Sequence, residues 1–286
     1  MSSAADPHFG HLNPAAAGLG TIFARPKTVA ALCVVVLAGL GWLYLGVLLT
    51  AMQGYSGPFG FLQALCSPNE SVSWTVREAA LVASMWCAMT LAMMLPSAAP
   101  MILTYAEIAD TAARKGECIV SPFVLAAGYA TIWICFSLLA SIAQLAFVRA
   151  GLIQAGMSSA SGLFSGVLLV TAGAYQFSSL KHACLTRCQQ PFPFFFANWT
   201  TTPAGVFRLG LKQGTYCLGC CWAMMLVMFA VGLMNAVWMA VLGIVMTTEK
   251  MLSGRSFTYA VGAALIIIGV GIALMAIVAH WPMRAI

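Results

Sequence analysis

Six runs of apolar residues, each close to or above the length of a membrane-crossing helix, limit what this chain can become. They cover residues 28–52, 79–103, 122–148, 157–177, 217–246 and 257–279. At about 1.5 Å per residue, roughly 20 residues cross a hydrocarbon layer about 30 Å thick. Lipid offers no hydrogen bonds, so a crossing segment must satisfy its own backbone, and runs of this length do so as helices. The sequence therefore predicts an all-α fold: a polytopic membrane bundle of about six transmembrane helices, forming one transmembrane domain over residues 28–286 behind a mobile N-terminal arm, 1–27. Composition agrees, since the chain is 62% hydrophobic and only 7% charged, against about 25% charged in soluble domains.

Several function classes drop out here. The net charge of +6 is spread over short loops without a basic stripe, so the bilayer rather than nucleic acid is the expected partner. No Asp, Glu, Lys or Arg lies in the middle of any run, which argues against a proton relay or a charged-substrate path. The first run exceeds the roughly 7–15 residues of a signal-peptide core and is read as a retained span. Lys and Arg between the runs fall unevenly. Arg25, Lys27, Arg114, Lys115, Lys181, Arg187, Arg208, Lys212 and Arg284 lie on one side, against Arg77, Arg149, Lys250 and Arg255 on the other. The positive-inside rule then predicts cytoplasmic termini, a cytoplasmic loop over residues 178–215, and residence in a bacterial inner membrane.

Chemistry concentrates in residues 216–250. Cys217, Cys220 and Cys221 form a CxxCC group at the start of the fifth run. On a helix Cys217 and Cys221 share a face with Met224, Met225 and Met228. Upstream, Cys184 and Cys188 form a CxxxC pair with His182 close by, on the same predicted side. In the second run Met85, Met89 and Met93 recur every four residues and line one helix face. Thiolate and thioether ligands are soft and select Cu(I), with zinc as the other occupant of a thiolate site. The candidate metal ligands are thus Cys217, Cys220, Cys221, Cys184, Cys188, Met89, Met93, Met225, Met228 and His182. No catalytic residue is indicated. Counted inward at about 1.5 Å per residue, Met93 and Met225 lie at similar depths, about 15 and 12 Å, placing one site between the second and fifth spans. Pro96 and Pro100 predict a kink, and the carbonyl of Ala92, deprived of its donor by Pro96, needs another partner.

Other positions have plain readings. His8 and His11 belong to a disordered arm, Glu249 and Lys250 to a solvated outer helix end, Asn235 to a hydrogen bond with a neighbouring helix, and His280 beside Trp281 to an interfacial anchor.

The segments from Met85 and Trp86 through Met93, Met94 and Pro96 to Pro100, from Leu180 and Lys181 through Cys184 to Cys188, and from Cys217 through Cys221, Trp222, Asn235, Trp238 and Met239 to Lys250 resemble a family of predicted metal-binding integral membrane proteins, recorded as a domain of unknown function. Members of that family carry a Pro shortly before the Leu-Lys of the middle motif and an Arg after its second Cys, where this chain has Ser179 and Gln189. The resemblance implies metal binding. The MxxxM spacing is also similar to that of eukaryotic-type copper transporters. Together these point to copper transport, or to delivery to a membrane cuproenzyme. A non-metal subunit or assembly factor of a membrane complex and a thiol-disulfide redox protein are the alternatives.

Overall fold

The structure is a computed structural model that describes residues 26–52, 76–116, 119–152, 161–232, 235–252 and 254–280. The predicted arm (all but its last two residues), with His8 and His11, lies outside those residues, as do Trp281 and the side chain of His280. The described residues form helices α1 (Pro26–Met52), α2 (Val76–Arg114), α3 (Pro122–Arg149), α4 (Gly162–Tyr175), α5 (Ser179–Gln189), α6 (Pro191–Ala197), α7 (Pro203–Val231), α8 (Ala236–Met251) and α9 (Ser256–His280). Five are long and apolar enough to cross a membrane, and a sixth crossing results if α4 and α5, bent by 64°, count as one span. The all-α multi-pass bundle is therefore as expected.

Helix directions follow from side-chain meetings. Trp42 and Tyr44 of α1 reach Ala92 and Ser84 of α2, so this pair is antiparallel. Tyr129, Ser137 and Gln144 of α3 reach Met94, Thr90 and Trp86, again antiparallel. By contrast α3 and α7 run parallel, meeting at Leu125 with Gly210, Ile132 with Gly214 and Phe147 with Phe229. On the other flank of α7, α4 runs antiparallel through Ser165 to Ala230 and Tyr175 to Gly219. Finally α9 lies antiparallel to α4, with Gly166 against Gly269 and Gly173 against Gly262.

Four expectations are corrected. The apolar run 217–246 is not one span: α7 begins at Pro203 with Thr202 as its cap, and the chain turns at Gly232, whose φ of 100° is a backbone state that side-chain-bearing residues avoid. From there α8 folds back beside α7, until Lys250 reaches Cys217. This extra reversal makes α1 and α9 parallel, so the start of α1 and the end of α9 lie at opposite ends of the bundle rather than sharing a side. Asn235 caps α8, its Oδ1 accepting from the Trp238 amide, instead of bridging to a neighbour. The predicted loop 178–215 is mostly helical, as α5, α6 and the first turns of α7.

Pro96 and Pro100 lie inside α2, which continues to Arg114. The Ala92 carbonyl that Pro96 strips of its donor accepts from Trp42 Nε1 at 3.2 Å. Trp42→Phe keeps the ring and removes that donor, so it is expected to destabilise the protein by about 1–3 kcal/mol, read by SDS or thermal unfolding in detergent.

Candidate metal centre

Local packing explains why the thiols are buried. Small residues at positions 210, 214, 217 and 221 give α7 a narrow face, and α3 approaches it closely enough that a Cβ on Gly210 would overlap the Leu125 carbonyl. Cys217, Cys220 and Cys221 are 1–2% exposed and sit about four turns into α7, not at its mouth as the sequence suggested. Met224, Met225 and Met228 follow on the same helix, all fully buried.

The sulfurs form a row. Cys220 Sγ lies 3.3 Å from Cys221 Sγ and 4.0 Å from Cys188 Sγ, and Cys184 packs against Gly219, where any side chain would collide with its sulfur. Thus α5 brings the CxxxC pair onto the CxxCC group. Cys184 and Cys188 are half-buried and the other three buried, so the row leads from a partly accessible lip into the bundle. His182 is not brought along. On a helix it points about 200° away from Cys184, and its ring meets Tyr259 edge-on at 5.1 Å.

Three charged side chains missed as site residues lie where α5 and α7 meet the end of α8. Lys250 Nζ donates to Cys217 Sγ at 3.0 Å and to Ser97 Oγ at 2.7 Å. Lys181 Nζ pairs with Glu249 Oε2 at 2.7 Å, with both side chains no more than 2% exposed, and Glu249 Oε1 has no hydrogen-bond partner among the described residues. The solvated helix end expected at Glu249 and Lys250 is thus a packed one, with Glu249 buried and Lys250 half-buried, placed there by the fold-back of α8. Gln189, standing where the resembled family has Arg, donates to the carbonyls of Glu249 and Leu252 and ties α5 to the end of α8. Tyr129 OH lies 3.0 Å from Cys217 Sγ, and Gln176 Nε2 donates to Met224 Sδ at 2.8 Å.

The second span enters through Met85, Met89, Met93 and Met94, all buried. Met93 lies against Gly243 of α8, and α8 packs on both α2 and α7, so the proposed pairing of the second and fifth spans has α8 inserted beside it. The donor set is soft throughout. Among the described residues no three His, Cys, Asp or Glu side chains surround a single point as a closed cage, and the four-ligand tetrahedron of structural zinc is not formed there.

A family model described as PpoB2, copper chaperone, matches residues 83–272, well over half of the chain. The matched region takes in the second apolar run from near its start, both cysteine groups and the methionines of α2, α7 and α8. No curated protein and no solved structure matches the chain.

Proposed function

This chain belongs to the PpoB2 copper chaperone family, and from that premise we propose that it carries copper as Cu(I) cargo on its sulfur row for delivery to a membrane cuproenzyme. Cys184 and Cys188 take the ion at the lip. Cys217, Cys220 and Cys221 hold it within the bundle, and Met89, Met93, Met225 and Met228 serve as weaker contacts beyond.

One observation carries this reading: half-buried Lys250 aims its ammonium at a buried hydroxyl and a buried thiol, with no carboxylate partner among the described residues. An ammonium turned from water toward neutral partners is costly, and a sulfur that ligates metal supplies the negative charge that Lys250 lacks. Packing alone gives no reason to aim an ammonium at the Cys217 thiol. The sulfur ligands, for their part, suit Cu(I) better than a hard ion.

Location follows the same logic. Arg114, Lys115, Arg208 and Lys212 lie where α2 ends and α7 begins, Arg187 directly precedes Cys188, and Arg255 precedes α9 at the same end, whereas Arg149 lies at the opposite end. By the positive-inside rule the lip faces the cytoplasm of a bacterial inner membrane, where reducing conditions keep the thiols free.

To test the proposal, Cu(I) is titrated anaerobically into the purified protein against a chromophoric competitor, with wild type compared to the Cys217→Ser, Cys220→Ser, Cys221→Ser triple variant. The expected result is tight binding by wild type and a loss of affinity of about 100-fold or more in the variant, or about 2.7 kcal/mol. Equal copper content in the two would overturn the assignment.

A further inference from the structure

We propose that α8 completes a thioether site for a soft monovalent metal ion, deeper in the bundle than the thiols, formed by Met89 and Met93 of α2 with Met239 and Met246 of α8. The proposal rests on the copper reading above and adds to it a second resting place for the ion and two ligands on a helix that composition alone does not separate from α7.

Geometry carries it. Met89 and Met93 are one turn apart on α2, and Met239, Gly243 and Met246 recur at i, i+4 and i+7 on α8, so each set lies on one helix face. All four methionines are 0–2% exposed. The two faces meet: a Cβ built on Gly243 would stand 3.7 to 4.0 Å from Cγ, Cβ and Cε of Met93. Met93 thus packs against α8 at Gly243, a position that lies between Met239 and Met246 along the helix. One turn further along each helix, Ser97 of α2 meets Lys250 of α8, so the two helices run in the same direction. That register sets Met89 level with Met239, and Met93 level with the turn from Gly243 to Met246.

Chemistry gives the order of use. Lys250 touches Cys217, Met246 lies one turn deeper on the same helix, and Met239 two turns beyond that. A neutral thioether binds Cu(I) less tightly than a thiolate, and movement through a membrane requires sites loose enough to leave. The ladder therefore continues the thiol row toward the far end of the bundle.

The full-length protein, labelled with selenomethionine and loaded anaerobically with Cu(I), tests this by X-ray absorption at the selenium edge. The expected result is a copper scatterer at bonding distance from selenium, about halved in amplitude in the Met239→Leu, Met246→Leu variant and retained in the Cys217→Ser, Cys220→Ser, Cys221→Ser variant at saturating Cu(I). Leucine conserves volume, and unfolding by SDS confirms that the variant is intact. Copper bound to wild type without a selenium neighbour overturns the thioether site and leaves the thiol reading standing. A copper–selenium path unchanged in the double Leu variant overturns the role of α8. Failure of wild type to bind any copper overturns both.

Discussion

Lys181→Met is expected to lower the stability of the protein by about 3–5 kcal/mol, the cost of leaving a buried carboxylate without its counter-charge. Lys181 and Glu249 are 2.7 Å apart and effectively sealed from solvent. Removing the ammonium strands Glu249, whose second oxygen already lacks a partner among the described residues. A double variant, Lys181→Met with Glu249→Leu, removes both charges and is expected to recover most of the loss, since well-packed apolar residues replace buried ion pairs at little or no cost. Unfolding in detergent at increasing SDS reads both. If the single variant is as stable as wild type, the pair is not closed in the membrane-embedded protein. The pair also clamps α5 to α8, and with it Cys188 to Cys220 and Lys250 to Cys217. The single variant is therefore expected to bind Cu(I) less tightly, even though neither residue touches a sulfur.

That clamp shows why parts of this protein can be read from sequence and parts cannot. Helices are legible because lipid leaves apolar segments no other choice, so four of the six predicted runs coincide with long helices, while 217–246 breaks at Gly232 and the weakest, at 157–177, shortens and bends. The two cysteine groups are legible because close sulfur spacing is rare in packing, and α5 does bring Cys188 to Cys220. Hydropathy, however, is blind to direction. Residues 217–246 are apolar on both sides of Gly232, so a hairpin reads as a single crossing, and the side assigned to Lys250 inverts with it. It is equally blind to pairing. Glu249 and Lys250 at the end of an apolar run have the composition of a solvated cap, and their partners Lys181 and Cys217 lie far away in sequence. Gln189 marks one detectable signal: a change from the resembled family's Arg sits where α5 touches the end of α8. Residues 178–215 mislead in the opposite sense, because Pro191, Pro193 and Pro203 suggest a loop while two of them open helices, where proline is favoured.

Gly210→Ala is expected to cost about 3 kcal/mol or more, although it adds a single methyl group. The new Cβ would overlap the carbonyl oxygen of Leu125 and stand 3.0 Å from the Cα of Gly128 and from the amide of Tyr129. All three are backbone atoms, and a backbone cannot rotate aside as a side chain can. The helices must separate, forfeiting dispersion along their whole contact, which places the cost at or above the usual 1–3 kcal/mol of overpacking. Gly128→Ala meets the Phe207 carbonyl from the facing helix in the same way. Gly39→Ala is the control, for nothing lies within 4 Å of its added methyl. There the gain in helix propensity is expected to leave stability unchanged or raise it by up to about 1 kcal/mol. The consequence reaches the metal centre, because Tyr129 sits one residue beyond Gly128 and touches Cys217 from α3. Opening the α3–α7 contact withdraws that hydroxyl and admits lipid or water beside the thiols. Cu(I) affinity should therefore fall in Gly128→Ala and Gly210→Ala and hold in Gly39→Ala. Affinity unaffected by either of the first two would show that the sulfur row does not depend on the α3–α7 contact for its shape.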